Sequence, residues 1–298
     1  MSINTNQDML PSADDTAAMV RDDPSVFVLA LRHPSIIIGG ALLIIIVLIA
    51  MIGPLLTNDP IALNPIKRLK APGDFGWFGT DYLGRDVFAR VIHGARVSLV
   101  VGLAVSACAI SVGLVTGLLA GYIRLLDAII MRIMDGLMAI PGILLAIALI
   151  SLSGATLFTV VIAIMIPEIP RVVRLVRAVV LSVREEPYVE AAIAAGTKLP
   201  LILIRHILPN TIAPMIVQAT YICASAMLTE AILGFLGAGI PPEIPSWGNI
   251  MAEGRTYFQI TPWIIFYPGI ALAITVLAVN TLGDGLRDTL DPRIARKM

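Results

Sequence analysis

Long uncharged stretches divide the chain into candidate membrane helices. A helix needs about 20 mostly apolar residues to cross the hydrocarbon core of a bilayer. Stretches of at least this length occupy residues 34–58, 97–123, 136–167, 206–229 and 256–283. The stretch at 136–167 is too long for one span, and its Leu-Ser-Gly sequence at 152–154 predicts a tight turn. The pattern therefore predicts six transmembrane helices.

Several helices are expected to extend past the ends of the uncharged stretches and to include charged residues. We expect the third helix to begin near Ala128 and the fourth to run from about Ala155 past Glu168. The fifth continues through Glu230 to about Phe235. Glu168, which we expect near the cytoplasmic end of its helix, and Glu230 are then the two candidates for buried ionisable groups.

The composition is that of a polytopic membrane protein of the all-α class. Apolar residues make up 57% of the 298 residues, charged residues make up 14%, and the mean hydropathy is +0.89. A soluble domain has about 25% charged residues. The 21 basic and 21 acidic residues give zero net charge, without the basic excess that nucleic-acid binding needs. Membrane lipid is therefore an expected partner, and nucleic acid is not.

The distribution of basic residues predicts the orientation in the membrane. With the N-terminus inside, the cytoplasmic segments carry 14 of the 21 basic residues. The acidic N-terminal segment does not have the composition of a cleaved signal peptide. We therefore expect two cytoplasmic termini and four regions: a tail at 1–34, the first helix with its periplasmic loop at 35–96, the membrane core at 97–283 and a tail at 284–298.

The end of the first outer loop predicts an amphipathic helix on the outer membrane surface. Apolar residues recur at helical spacing over residues 85–99. Asp81 and Arg85 stand four residues apart, as do Asp86 and Arg90. Each of these two pairs is expected to form an ion pair.

Two further patterns predict structural roles. Gly113, Gly117 and Gly121 form a stripe of small residues along the second helix, which lets another helix approach closely. We interpret this stripe as a packing surface rather than a ligand site. Trp247 and Trp263 flank the outer ends of helices five and six and are expected to be interfacial anchors.

Charged residues also cluster where helices three and four reach the cytoplasm. Arg132 and Asp135 stand three apart on helix three, with Asp127 one to two turns earlier, and we expect them to form ion pairs there. Three arginines at three-residue spacing, at 171–177, extend helix four. Their common face is expected to point to lipid phosphates or to an acidic partner.

The sequence lacks the usual signatures of catalysis and metal binding. It contains no Gly-Lys-Ser/Thr phosphate loop and no nucleophile elbow. His33, His93 and His206 fall in three different predicted loops, without the paired spacing of a zinc site. We therefore assign no catalytic residue, no metal site and no cofactor to this chain.

The longest cytoplasmic loop, at about 184–210, predicts a compact projection. The segment from Tyr188 to Ala195 favours a short helix, Gly196 stops it, and a second helix can run to Pro209. Four alanines leave the first helix with little side-chain bulk. Such a projection is suited to insertion into the groove of a partner.

This loop resembles the EAA loop of ATP-binding-cassette (ABC) importer permeases. The resemblance lies in Glu190-Ala191-Ala192, in Gly196 after three intervening residues, and in Leu208-Pro209. Segments 79–87, 235–239, 241–248 and 283–293 are similar to the dipeptide, oligopeptide and nickel branch, in particular to its second, "C" permease subunit. The similarity extends over about residues 36–293. One difference is Pro167-Glu168-Ile169-Pro170, which stands where the family often has aromatic residues.

The resemblance implies a type I ABC importer transmembrane fold in a bacterial inner membrane. It also implies a homologous permease partner, two ABC ATPases that bind ATP and magnesium, and a periplasmic or lipid-anchored solute-binding protein. Dipeptides or oligopeptides are the expected solutes, with nickel chelates, glutathione or another small solute as alternatives. The residues expected to couple to the ATPases are Glu190, Ala191, Ala192, Gly196, Arg205, His206, Leu208 and Pro209.

Polar residues along helix five predict part of the translocation path. Gln218, Tyr221, Ser225 and Thr229 recur every three or four residues and share one face, with Glu230 at its edge. Glu230 is interpreted either as a contact for a cationic solute group or as a structural hydrogen-bonding group. An ion-driven secondary transporter and a membrane scaffold remain alternative functions, of which the first typically has internal repeats that we do not find.

Overall fold

The computed structural model describes residues 33–290, and within this range the chain folds into ten α-helices. Short 3₁₀ turns occupy Pro65–Lys67 and Arg255–Tyr257, and a π-helical segment occupies Leu203–Ile207. The helices are α1 (Pro34–Leu56), α2 (Val87–Tyr122), α3 (Arg124–Met138), α4 (Gly142–Ser153), α5 (Leu157–Val183), α6 (Pro187–Ala194), α7 (Leu199–Ile202), α8 (Leu208–Phe235), α9 (Trp247–Gly254) and α10 (Trp263–Leu290).

Helices α2 and α5 form the centre of the bundle through the predicted glycine stripe. A Cβ atom on Gly113 would lie 2.5 Å from the Val172 side chain, and one on Gly117 would lie 2.7 Å from the Val176 side chain. Only glycine therefore permits this separation of the two helices. The packing interpretation is confirmed. Because the residue numbers increase together on both helices, α2 and α5 are parallel.

The chain returns between these two parallel helices through a sharply bent pair, α3 and α4. The two helices meet at an angle of 89°, with Pro141 at the start of α4. The turn predicted at 152–154 is confirmed: α4 ends at Ser153, and Gly154 has a φ of 82°. Helix α5 stays continuous through Pro167 and Pro170.

The number of membrane spans is supported in part. Four described helical stretches are long and apolar enough to cross a membrane, namely α1, α2, α7–α8 and α10, and the bent pair α3–α4 can supply a fifth. Helix α5 has 27 residues but carries Glu168, Arg171 and Arg174 in its middle third. The all-α, multi-pass membrane fold is confirmed, while the six-span count remains a prediction.

The separate amphipathic helix expected at 85–99 does not form, because this segment is the first part of α2. A helix of 36 residues is about 54 Å long and exceeds the hydrocarbon core of about 30 Å. Its first turns therefore project beyond the core, and they are covered by α9 instead of lying flat on lipid: Val87 is fully buried and Gly94 abuts Trp247.

The predicted terminal tails fall largely outside the described residues. Residues 1–32 and 291–298 lie beyond this range, so the expectations for the two cytoplasmic tails concern only their edges. Helix α10 continues to Leu290, past the boundary expected at 283. Its last turns pack on the start of α1, where Gly285 lies against Ile36.

Candidate functional site

The projecting loop at 184–210 folds as a helix, a glycine corner and a second helical segment. Helix α6 begins at Pro187 and ends at Ala194, and Gly196 adopts a φ of 78°, which favours glycine because it has no Cβ atom. The predicted short helix and its stop are confirmed. The second segment does not end at Pro209, because α7 continues through the π-helical segment directly into α8.

Most of α6 faces outward from the described chain. Only Val189 is buried, whereas Glu190, Ala191 and Gly196 are exposed and Ala192 is half-buried. Exposed apolar side chains accompany them in the same loop, and these are Tyr188, Ile193, Leu201 and Ile204. Of the other predicted coupling residues, Arg205 and Pro209 are exposed, and His206 and Leu208 are half-buried.

Two contacts hold α6 to the π-helical segment and to the start of α8. The Tyr188 hydroxyl accepts a hydrogen bond of 3.2 Å from the Asn210 amide nitrogen. The Tyr188 and His206 rings lie 6.3 Å apart between centroids. These contacts, together with the continuous backbone from α7 to α8, tie the position of the loop to that of α8.

The charged residues at the ends of α3 and α5 pair between helices rather than within α3. Arg177 binds Asp127 with two bonds of 2.5 and 2.7 Å, and Arg174 binds Asp135 at 2.6 Å. The expectation that Arg132 pairs with Asp135 is therefore wrong. The arginines were also expected to face lipid phosphates or a partner, but two of the three join α5 to α3, because the bend at Met138 turns α3 alongside α5.

A cavity of about 260 Å³ lies where the α3–α4 bend meets α5 and α8. Apolar residues from the bend and from α5 outnumber the polar ones in its lining, and its polar side chains are Glu168, Arg171, Ser225 and Thr229. Glu168 lies eleven residues after the start of α5, about 16 Å along the axis. It is thus near the middle of α5. The sequence had suggested a position near the cytoplasmic end of this helix.

The structure divides the predicted path residues among three environments. Ser225 and Thr229 line the cavity, and the Tyr221 ring lies 5.8 Å from the Arg171 guanidinium at its edge. Gln218 instead lines a second cavity near Arg287.

Glu230 does not reach the cavity. Its side chain is fully buried against α2, where its Oε2 accepts a bond of 3.3 Å from the Ser98 hydroxyl. Glu230 is therefore packed against α2 and does not line this cavity, and its solute contact and its structural function both remain predictions.

An ion cluster that the sequence predicted only in part joins the outer loop to α9. Asp81 binds Arg85 at 2.6 Å, as predicted from their spacing, and also binds Arg90 at 2.8 Å. Glu253 of α9 contacts both arginines. Asp86 does not pair with Arg90 but accepts a bond from the Phe88 backbone nitrogen and begins α2. Glu253 was missed because nothing in the local sequence connects it with residues 160 positions away.

Trp247 is part of the same contact between α9 and α2. It is 1% exposed, and its indole nitrogen donates a 3.0 Å bond to the Val91 carbonyl. The expectation that Trp247 is an interfacial anchor is therefore wrong, because the residue packs inside the protein. Within residues 33–290, no group of three or more His, Cys, Asp or Glu side chains could hold a metal ion.

A helical bundle of membrane-spanning length, with a charged cavity between its helices and a projecting loop, is the architecture of a multi-pass membrane transport protein. Residues 110–296 match the family described as "Binding-protein-dependent transport system inner membrane component". The chain belongs to this family, the transmembrane permeases of ABC importers. Membership excludes the ion-driven secondary transporter and the scaffold as alternatives.

Similar proteins cover nearly the whole chain. A probable peptide ABC transporter permease of Sinorhizobium fredii is 56% identical over 90% of this chain and 92% of its own length. A dipeptide transport system permease of Alkalihalophilus pseudofirmus is 42% identical over 95% of this chain and 94% of its own length. A glutathione transport system permease of Pectobacterium atrosepticum is 39% identical over 88% of each chain.

Proposed function

We propose that the chain forms half of the translocation path of an ATP-driven importer of dipeptides or oligopeptides. The observation that carries this proposal is the similarity over nine tenths of the chain to permeases named for peptide or dipeptide transport. Glutathione is itself a peptide, so the relative named for glutathione fits the same solute class. Nickel chelates remain the second candidate from the sequence resemblance.

The loop at 184–210 is the proposed docking site for an ATPase subunit. Its exposed Tyr188, Ile193 and Ile204 leave an apolar surface at the tip of the molecule, beside the carboxylate of Glu190. Apolar groups on a projecting helix favour burial in a hydrophobic groove. In the assembled transporter two ATPases bind ATP and magnesium, and this chain contributes neither catalysis nor a cofactor.

Helix α8 provides a direct mechanical connection from the docking loop to the cavity. It continues without a break from the π-helical segment at Ile207 to Ser225, which lines the cavity about 26 Å from Leu208. A displacement of the loop by ATP binding would therefore move one wall of the cavity. Helix α5 leads into α6 of the same loop and is joined to α3 by interhelical ion pairs. Displacement of the loop would therefore also move α5 and α3, which form the opposite wall of the cavity.

The remaining partners and the orientation complete the proposal. Both termini lie in the cytoplasm of a bacterial cell, and the segment between α1 and α2 lies on the periplasmic side. A homologous permease encloses the other half of the path, and a periplasmic or lipid-anchored solute-binding protein delivers the solute. Exposed Ile66 and Trp77 provide apolar surface on this side for such a delivery protein.

Uptake into proteoliposomes tests the proposal. The complete transporter, purified with its permease and ATPase partners, is reconstituted with ATP inside, and the solute-binding protein and radiolabelled dialanine are added outside. We expect uptake that needs ATP hydrolysis and persists when ion gradients are dissipated. Unlabelled dipeptides should compete with it, and a nickel chelate should not. Transport of the chelate without transport of any peptide would reject the proposed solute class.

A further inference from the structure

The cavity beside the α3–α4 bend contains one pair of opposite charges. Among residues 33–290, Glu168 and Arg171 are the only charged residues that line it. Glu168 is 8% exposed, and its carboxylate lies 3.1 Å from the Arg171 guanidinium and 3.4 Å from the Ser225 hydroxyl. A carboxylate at the centre of a membrane helix costs about 2.5–3.5 kcal/mol on insertion scales, so it requires a reason to be there.

Packing between helices supplies only part of that reason, through the bond from Ser225 of α8. Glu168 and Arg171 stand three residues apart on the same helix, and their ion pair joins no two helices. The pairs Arg174–Asp135 and Arg177–Asp127, one and two turns further along α5, do join it to α3. An ion pair within one helix contributes only about 0.2–0.5 kcal/mol to helix stability. The two later pairs therefore join α5 to α3, whereas the first pair contacts a second helix, α8, only through Ser225 and Tyr221 and remains open to the cavity.

The two partners of this ion pair differ in freedom. The Glu168 side chain is 11% exposed and fixed at the wall, whereas the Arg171 side chain is 46% exposed at the edge of the cavity. A long arginine side chain can leave the carboxylate and keep its charge in a hydrated region. Tyr221 offers the guanidinium a second contact, because its ring centroid lies 5.8 Å away. Departure of Arg171 would leave a buried carboxylate without its ion-pair partner, and a cationic group of the solute could take that place.

We propose that Glu168 binds the ammonium group of the solute's free amino terminus and that the Arg171 guanidinium occupies this position when the cavity is empty. This inference rests on the proposed peptide import and adds a site for one end of the peptide. The volume of about 260 Å³ lies below the about 300–1,000 Å³ of most small-molecule sites. It therefore suits the main-chain end of a solute, while the rest of the solute extends into the path.

Equilibrium binding of radiolabelled dialanine to the purified transporter, without the solute-binding protein, tests this site. Three variants are compared with wild type: Glu168→Gln, Arg171→Gln and the control Glu243→Gln, whose side chain is exposed outside the cavity. We expect Glu168→Gln to weaken binding at least about tenfold, because a hydrogen bond to a charge is lost. Arg171→Gln should strengthen binding, since it removes the competitor, and Glu243→Gln should bind as wild type does.

Competition with modified peptides identifies the group that is recognised. Alanyl-alaninamide keeps the ammonium group and should compete with dialanine, whereas N-acetyl-dialanine lacks it and should not. Unchanged affinity in Glu168→Gln, with normal ATPase association, would overturn the inference, as would weaker binding in Arg171→Gln. If Glu168→Gln fails to assemble, equal competition by the two modified peptides in wild type overturns it instead. ATP-dependent dialanine uptake by wild type is scored separately, so a failure of peptide import is distinguishable from a failure of this site.

Discussion

Replacing Glu253 by glutamine removes one of the two carboxylates that neutralise Arg85 and Arg90. Both arginines contact Glu253, and Arg90 is 1% exposed, so water cannot replace the lost charge. Breaking a buried ion pair by removing one partner costs about 3–5 kcal/mol. Asp81 still binds both arginines, at 2.6 and 2.8 Å, which places the expected loss near the lower end, at about 3 kcal/mol.

The loss is measured as the free energy of unfolding of the full chain in detergent micelles titrated with dodecyl sulfate. With Trp77 and Trp263 replaced by phenylalanine in every variant, fluorescence of Trp247, which lies on the same helix as Glu253, reports the separation of α9 from α2. The control Glu243→Gln, on an exposed position nearby, should change the free energy by less than about 0.5 kcal/mol. Adding Arg85→Gln to Glu253→Gln restores neutrality and should recover part of the stability. Equal stability of Glu253→Gln and Glu243→Gln would refute the reasoning.

Three further outcomes follow from the packing and the orientation. Gly117→Val should lower the free energy of unfolding by about 1–3 kcal/mol, because the added side chain overpacks against α5. The control Gly136→Val, whose added side chain starts in open space, should lower it by less than half of that in the same titration. A single cysteine at Ile66 should react with a membrane-impermeant maleimide from the periplasm, and one at Ser182 only after the cytoplasmic side is opened; the reverse pattern would invert the topology. Glu230→Gln should leave dialanine binding within about twofold of wild type, because the side chain is buried away from the cavity, and a tenfold loss would return Glu230 to the path.

Local patterns were sufficient to predict the elements whose causes are local. The turn at 152–154, the short helix α6 and its stop at Gly196 follow from turn chemistry and helix-stop signals within a few residues. The glycine stripe on α2 identified a packing surface because small residues at every fourth position have few other uses in a membrane helix. The fold of the loop at 184–210 was predictable because its small residues and glycine corner are adjacent in the sequence.

Long-range partners were not predictable from one sequence. Arg177 and Asp127 are 50 residues apart, and Glu253 and Arg90 are 163 apart, so no spacing rule connects them. The burial of Trp247 depends on α9 folding back onto α2, which hydropathy alone does not indicate. That Glu168 lines the cavity and Glu230 does not was unpredictable for a related reason, because the helices packed around α8 decide which of its faces meets the cavity.

Contact between the loop at 184–210 and an ATPase is the most direct test of energy coupling in this chain. Cys108 and Cys223 are replaced by serine, and one cysteine is introduced at Ala191, which is exposed on α6. In the assembled transporter in membranes, a short bifunctional thiol reagent should join this cysteine to an ATPase subunit that carries a cysteine in its groove. The same cysteine at Ile66 should give no such product. A product at Ile66 and none at Ala191 would contradict the assignment of the loop as the coupling element.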